Sequence, residues 1–241
     1  MRYLIPLILA ATSLTSCSRY QYMTVNSSHL TKNDKHQLVF ENDTVRLTYD
    51  FCGEGGPVSV NIFNKSSQPL YVNWKKSALI RNEHSLSFYD RNVYFSGDAY
   101  TSSYRFRNFA ISSSSFTGSM ALPEGMDFIP PGSDISKGLV FLSQSGPMVL
   151  EIPDSIAQQT VKNGDGITLS KYRKKNYDET TSPVRFKSYL TFSLGFNNAS
   201  EFAESNDFYV DEAMDTQSLP ENYPLYQQQG DKFFIKYKKE Q

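Results

Sequence analysis

The chain has 241 residues, with 24 basic and 25 acidic side chains and a formal net charge of −1. This balance argues against a nucleic-acid partner, because a protein that binds a phosphate backbone needs a strongly basic face. The length suffices for one substantial core, and 16 Tyr and 17 Phe beside a single Trp are typical of a β-rich protein.

The sequence opens with a short apolar segment that ends at a cysteine. Arg2 adds a positive charge, residues 4–11 are apolar, and "LTSC" at residues 14–17 follows. The segment has the layout of a secretory signal and is too short to span a bilayer as a helix. Its last four residues resemble the lipobox of bacterial lipoproteins, which implies acylation of the Cys17 thiol and cleavage before it. The alternative is an ordinary signal peptide in which the cysteine occurs by chance.

Residues 1–16 are therefore predicted to be a lipoprotein signal peptide, and Cys17 the lipidation site that attaches the protein to a membrane. Two or three acyl chains make a durable anchor, whereas one chain holds a protein only marginally. Residues 17–36 are polar and lack sustained periodicity. They predict a lipidated cysteine followed by a tether, with room for a short first strand within residues 20–25.

From residue 37 onward, alternation of apolar and polar residues with a period of two predicts β-strands. Strands are expected over residues 45–51, 58–62, 70–74, 77–80, 86–89, 138–142, 184–196, 208–210 and 232–237. The run at 184–196 is the longest and predicts a strand in the centre of a sheet. Residues 151–163 have the pattern of one short helix, with Asp154 as its cap after Pro153.

These elements predict a single all-β domain over residues 37–241. We expect an antiparallel β-sandwich of seven to ten strands, immunoglobulin-like in general architecture, because strands of this length joined by short turns pair as antiparallel neighbours.

Alternation fails between residues 91 and 125, and this stretch predicts a long irregular loop. A loop of that length in a compact domain is either functional or disordered. Tyr and Arg side chains offer a large contact area at low entropic cost, so an exposed loop rich in them suits a binding surface. The candidate contact residues for a ligand or partner are Tyr94, Tyr100, Tyr104, Arg105 and Arg107. The alternative for residues 102–109 is a short strand with its aromatic side chains in the core.

Sequence motifs for catalysis are absent: no GxSxG, HExxH, Walker loop or dinucleotide fingerprint occurs. Cys52 is interpreted as a packing residue, because none of the three histidines stands in a cysteine-hydrolase context. Glu201, Glu204 and Asp207 lie close together, but their polar surroundings are typical of a connection rather than of a desolvated pocket. No metal site, cofactor or enzymatic activity is predicted.

Three further patterns each allow two interpretations. The basic residues 173–175 belong either to a solvated loop or to a contact for lipid headgroups or an acidic glycan. Trp74 lies in an alternating strand, which favours a core position over a sugar-stacking platform. The triplets at residues 43–45 and 154–156 are similar to the short O-glycosylation motif of exported proteins from Bacteroides-type bacteria, but so short a pattern also arises by chance.

The lipobox and the strand patterns together resemble a group of uncharacterised lipoproteins from Bacteroides-type bacteria. The stretches that carry the likeness are "VRLTYDFCGEGGPVSVNIFNKSSQPLYVNWKKSALI", "IPPGS", "SPVRFKSYLTF" and "NDFYV". The likeness implies a β-sandwich in the cell envelope, without an activity or site residues to carry over. Surface-exported members often have acidic residues after the lipidated cysteine, and "SRYQY" has none. This difference favours the periplasmic face of the outer membrane over the cell surface.

We therefore predict a non-enzymatic, membrane-anchored envelope lipoprotein that binds another envelope protein. The alternative is a ligand-capture module that binds a glycan or peptide through the 91–125 loop. A third is a glycan-active hydrolase, since β-sandwich hydrolases place their catalytic residues on separate loops. An exposed aromatic patch favours capture, two facing carboxylates in a deep pocket favour an enzyme, and an open sheet edge or flat apolar surface favours a protein partner.

Overall fold

The computed structural model describes residues 18–89, 94–106, 109–121, 125–146, 148–195, 200–222, 226 and 229–238. Within these residues the chain consists of β-strands and two short 3₁₀ helices, Leu142–Ser145 and Pro220–Asn222. Over the same part of the chain, no helix has both the length and the apolar character needed to cross a bilayer.

The strands are numbered in chain order. They are β1 (Ser18–Asn26), β2 (Thr31–Lys32), β3 (Leu38–Glu41), β4 (Val45–Asp50), β5 (Gly53–Glu54), β6 (Pro57–Asn64), β7 (Leu70–Arg81), β8 (His84–Ser87), β9 (Tyr94–Phe106), β10 (Phe109–Ala121), β11 (Met126–Ile129), β12 (Asp134–Phe141), β13 (Gln159–Lys162), β14 (Thr168–Asn176), β15 (Arg185–Leu194), β16 (Ser200–Thr216) and β17 (Lys232–Lys238).

Most of these strands belong to two sheets. Sheet A has the order β11-β7-β15-β16-β1-β17-β5, with β8 beside β7, β14 beside β16, and β13 beside β14. Sheet B has the order β12-β6-β4-β3-β2. Paired strands are antiparallel except β17 and β5, which form a short parallel pair. The strands β9 and β10 form a separate two-stranded sheet.

Sheets A and B pack face to face around one hydrophobic core. Every second residue of β4 and β6 is buried, because a period of two places these side chains on one face of the pleated sheet. From sheet B, the Tyr49 ring meets Phe208 of β16 with 5.0 Å between ring centroids. Phe51, which follows β4, meets Phe186 of β15 at 5.7 Å. The predicted all-β antiparallel sandwich is confirmed.

The longest predicted strand is confirmed as central. β15 pairs with β16 on one side and with β7 on the other, and Leu190 and Phe192 of β15 are buried. Its partner β16 was expected only at residues 208–210, with a polar connection before it. That expectation is wrong, since β16 runs from Ser200 to Thr216. Charged and small residues at the start of β16 interrupt the alternation of apolar and polar residues in the sequence. The strand forms there because it pairs with β15 at ten positions.

The prediction of a tether after Cys17 is wrong for residues 18–26. These residues form β1, which lies between β16 and β17 inside sheet A and extends the short strand expected at 20–25. The Gln21 side chain donates to the carbonyl of Leu150 at 2.7 Å and accepts from its N–H at 2.6 Å. Met23 and Val25 face the main core, whereas Tyr20 and Tyr22 pack in a second small cluster. A strand buried on both faces shows no alternation, which explains why its sequence resembles a linker.

Two smaller expectations are also corrected. Residues 151–163 contain no helix: a single turn bonds the Ile156 N–H to the Pro153 carbonyl, and β13 follows at Gln159–Lys162. The described chain has seventeen strands rather than seven to ten, because several edge segments of two to four residues also pair.

Candidate functional site

The stretch predicted to be a long irregular loop forms a β-hairpin instead. β9 and β10 are antiparallel and pair at thirteen positions, from Phe106 opposite Phe109 to Tyr94 opposite Ala121. The sequence concealed these strands because serine and glycine separate the aromatic residues, so neither face has a continuous apolar pattern. The one available signal was the short "RN" step between two aromatic segments.

The hairpin leaves long strand edges open. Within the described residues it is a sheet of only two strands, so each strand pairs on one side. Natural edge strands are usually short or carry charged residues or proline, which block pairing with another chain. β10, "FAISSSSFTGSMA", has thirteen residues and none of these protections. β9 has one Asp and one Arg. Within the described residues, no other strand pairs with the outer backbone N–H and C=O groups of β10.

The predicted contact residues lie along one strand rather than around a pocket. Tyr94, Tyr100, Tyr104 and Arg105 all belong to β9, and Arg107 lies outside the described residues. A strand rises about 3.3 Å per residue, so the backbone positions of Tyr94 and Tyr104 are about 33 Å apart. That distance exceeds the width of a small-molecule site. It matches the length of an extended partner segment.

Cys17, the predicted lipidation site, lies outside the described residues, and Ser18, the next residue, opens β1. The two triplets similar to a glycosylation motif differ in accessibility. Ser155 of the second triplet is exposed, whereas Thr44 of the first is half-buried beside Asn42, whose side chain accepts a hydrogen bond from the Thr44 N–H at 2.8 Å.

The acidic residues considered for catalysis form three separate contacts. Glu201 and Asp207 pair with lysines of other strands in sheet A, at 2.7 and 3.2 Å. Glu204 accepts a hydrogen bond from Asn42 at 2.8 Å, and burial raises the pKa of its carboxyl group. The three side chains belong to one strand, β16, rather than to a loop. In the part of the chain that the structure describes, no group of three His, Cys, Asp or Glu side chains is arranged to hold a metal ion.

Cys52 has the environment of a packing residue. It is half-buried, with its Sγ atom 3.8 Å from the Tyr226 hydroxyl. Burial raises the pKa of the Cys52 thiol, and the neighbouring carboxylates of Asp50 and Asp231 raise it further. A cysteine nucleophile needs the opposite shift, because the thiolate is the reactive form.

Trp74 belongs to the core, as expected. Its side chain is fully buried, its Nε1 donates to Asp127 at 2.7 Å, and the Lys137 ammonium lies 4.3 Å from the ring centroid. The indole is therefore enclosed on its polar edge as well as its faces, and it offers no platform for a sugar ring.

The basic residues 173–175 lie on β14, so the expectation of a solvated loop is wrong. Arg173 pairs with Asp154 and Lys174 with Glu212, each at 2.9 Å. Lys175 lies against the ring of Tyr177, at 5.1 Å from its centroid. Two of the three charges are thus matched within the domain, which leaves little open basic surface at this point of the sheet.

No protein-family model, no curated protein and no solved structure matches this chain.

Proposed function

We propose that this protein is a membrane-anchored envelope lipoprotein that binds another envelope protein through the β9–β10 hairpin, without catalysing a reaction. The observation that carries the proposal is β10, a thirteen-residue edge strand without charge or proline in a sheet of two strands. In strand addition, a partner segment pairs with such an edge, backbone hydrogen bonds supply affinity, and side chains at alternate positions supply specificity.

A third strand would improve the stability of the hairpin itself. An isolated two-stranded hairpin is marginally stable in water, whereas three strands with one covered face are stable. Alternate residues of an antiparallel edge point both backbone groups outward, so β10 offers on the order of ten hydrogen bonds. Each contributes about 1 kcal/mol net, and part of the sum offsets the entropy lost on association.

The anchor is the second element of the proposal. The lipobox places diacylglycerol on Cys17, and the lack of acidic residues in "SRYQY" favours the periplasmic face of the outer membrane. Anchoring restricts the hairpin to the layer of the envelope close to the membrane. A partner in the same layer is then met at high effective concentration.

The alternative function, capture of an extended peptide or glycan, is supported by the position of the tyrosines. Tyr94, Tyr100 and Tyr104 follow one another along β9, so their backbone positions suit a linear ligand better than a compact one. The third function, a glycan-active hydrolase, gains no support from Glu201, Glu204 and Asp207, since each of these carboxylates has its own partner.

Photocrosslinking in intact cells tests the partner proposal. A photoreactive phenylalanine analogue at Phe116 of β10 is expected to form a discrete adduct with one envelope protein. The same analogue at Phe128, which is half-exposed on β11, is the control and is expected to give none. The double variant Ser113→Lys/Ser115→Lys places charges on β10 and should abolish the adduct, whereas Ser85→Lys on β8 should keep it. An adduct that survives the lysines, or that forms equally at Phe128, would contradict strand addition.

Intact-mass measurement and membrane fractionation test the anchor. The full chain, produced in a bacterium with an outer membrane, should begin at Cys17, carry acyl chains and sediment with the membrane. Cys17→Ala should be soluble in the periplasm. Retention of Cys17→Ala on the membrane, or an unacylated mature protein, would show that the cysteine is not the anchor.

A further inference from the structure

The described chain has no spacer between Cys17 and the folded domain. Ser18 already pairs with Lys238 of β17, and Gln21 is buried. This inference rests on the proposed lipidation of Cys17: the acyl chains then leave the protein next to the first residue of a strand inside sheet A. We call this end of sheet A, where β1 begins and β17 ends, the anchor end.

The strand register shows that the β13–β14 hairpin also lies at the anchor end. Tyr20 of β1 is opposite Thr216 of β16, and Thr216 is opposite Tyr172 of β14. β14 begins four residues before Tyr172, whereas β1 begins two residues before Tyr20. The turn that precedes β14, in which the Asn163 N–H bonds to the Ile167 carbonyl, therefore projects beyond the start of β1.

Exposed apolar side chains are concentrated at this projecting tip. Ile167 is 62% exposed, Leu169 51% and Leu219 44%. The side chains of Ser170 and Ser218 are hydrogen-bonded at 2.8 Å, which places the chain after β16 beside the start of β14. Single exposed apolar residues are ordinary, as Phe128, Phe141, Val149 and Tyr189 are elsewhere in the described chain, but this end carries three of them.

Exposed lysines surround the apolar tip. Lys162 and Lys171 flank it on β13 and β14, and Lys236 and Lys238 lie at the end of β17. Among the described residues none of these four forms an ion pair. The exposed carboxylates at this end are Asp165 in the turn, Glu221 after β16, and Glu151 and Asp154, which lie beside Asp215 and Tyr237. Asp154 is paired with Arg173.

The opposite end of sheet A has a different charge pattern. There Lys76 of β7 pairs with Glu201 of β16 at 2.7 Å. The charge of this lysine is therefore neutralised within the protein. Lysines at the anchor end remain available to an external anion.

We propose that the anchor end of sheet A is a membrane-contact site. Ile167, Leu169 and Leu219 insert into the boundary between headgroups and acyl chains, and the four lysines contact lipid phosphates. Apolar side chains beside basic ones are the combination that holds peripheral segments at a membrane surface, and a covalent lipid keeps them within reach of it. The anchor and the contact together fix the orientation of the sandwich, with the far end of sheet A directed away from the membrane.

Two matched tryptophan variants test the contact in the full lipidated protein. Ile167→Trp places a fluorophore at the tip, and Phe128→Trp places one at the far end of the same sheet. Phe128 pairs with Tyr71 of β7, Tyr71 pairs with Ser193 of β15, and Ser193 pairs with Glu201 of β16. Phe128 is therefore level with Glu201 along the sheet. Glu201 and Thr216 are fifteen positions apart on β16, about 50 Å in an extended strand. The native Trp74 is fully buried and gives both variants the same background.

The proteins are reconstituted in vesicles of phosphatidylethanolamine and phosphatidylglycerol, with or without brominated acyl chains, which quench only nearby tryptophan. We expect brominated lipid to lower the added fluorescence of Ile167→Trp about twofold and to leave Phe128→Trp unchanged. Adding Lys236→Gln and Lys238→Gln to Ile167→Trp should weaken the quenching. The Cys17→Ala form of Ile167→Trp should show far less quenching at the same protein concentration.

Equal quenching of the two tryptophans, or quenching of neither while the protein floats with the vesicles, would overturn the contact site and leave the proposed anchor intact. Failure of the protein to float with the vesicles would overturn the anchor and the contact site with it. The two proposals are thus separated by the flotation result.

Discussion

The sandwich and the β9–β10 hairpin consist of the same secondary structure, but their strands belong to different sheets. In the sandwich, β4, β6 and β15 bury one face each against a shared core. In the hairpin, two serine-rich strands pair with each other as a sheet of their own. Strands of the first kind bury side chains in the core, and strands of the second kind pair with each other through their backbones. Under the proposed function, the sandwich is the support and the hairpin is the binding element.

The largest expected difference concerns loss of a phenylalanine side chain. Phe192 on β15 is buried, and Phe192→Ala should lower the free energy of unfolding by about 3–5 kcal/mol, because it leaves a cavity in the core. Phe116→Ala in the hairpin should change it by less than about 0.5 kcal/mol. Denaturant unfolding followed by the fluorescence of Trp74 measures both. A large effect of Phe116→Ala would mean that the hairpin belongs to the core.

A smaller effect is expected from the polar contact that fixes β1. Gln21→Leu leaves the N–H and carbonyl of Leu150 without their partner, which should reduce the free energy of unfolding by about 1–3 kcal/mol. Gln159→Leu, at an exposed position of β13, is the matched control and should have almost no effect. If Gln21→Leu were equally neutral, β1 would be a loosely attached segment, as the sequence alone suggested.

The buried Tyr49 of the sandwich predicts a dependence of stability on pH. Burial raises the pKa of Tyr49 to about 12, although Ser188 and Asn206 form hydrogen bonds with its hydroxyl. In the unfolded chain tyrosine ionises near pH 10, so the folded state binds this proton more tightly. The contribution of the protonated Tyr49 hydroxyl to the free energy of unfolding is therefore complete below pH 10 and is lost as the pH rises towards 12.

Tyr49→Phe should therefore reduce the loss of stability at high pH. Between pH 9 and pH 11 the wild-type protein should lose about 1 kcal/mol more than the variant. Tyr189→Phe, at an exposed position of β15, should keep the wild-type dependence. Equal pH dependence in wild type and Tyr49→Phe would show that Tyr49 is not enclosed in the core.

The smallest effect on stability is expected from lysines in the hairpin. Ser113→Lys/Ser115→Lys should change the free energy of unfolding by less than about 0.5 kcal/mol while abolishing the crosslink at Phe116. Equal stability of wild type and variant in denaturant unfolding would separate loss of binding from loss of folding. A variant that unfolds the sandwich would contradict the independence of the two regions.

The sequence predicted the strands that have one apolar face and one polar face. Alternation at residues 45–51, 58–62 and 184–196 identified β4, β6 and β15, and burial of Trp74 followed from the same pattern. These strands obey the pattern because the core demands apolar residues at every second position.

The strands that the sequence did not predict are those stabilised in another way. β1 is covered on both faces, so polar and aromatic residues such as Gln21 and Tyr22 replace the alternation. β9 and β10 depend on pairing between residues up to 27 positions apart, which a local pattern does not reveal. The tyrosines of β9 were identified as candidates by composition, but only the strand geometry shows that they form a line.

Hydrogen exchange of the β10 amides, compared between the purified lipoprotein and the same protein in native outer-membrane vesicles, tests the central claim most directly. An open edge on a two-stranded sheet should exchange fast in the purified protein, while the amides of β15 exchange slowly. Pairing with an envelope partner should slow the β10 amides at least about tenfold in the vesicles and leave β15 unchanged. Equally slow exchange of β10 in both samples, or equally fast exchange in both, would contradict a hairpin edge that is completed by a partner.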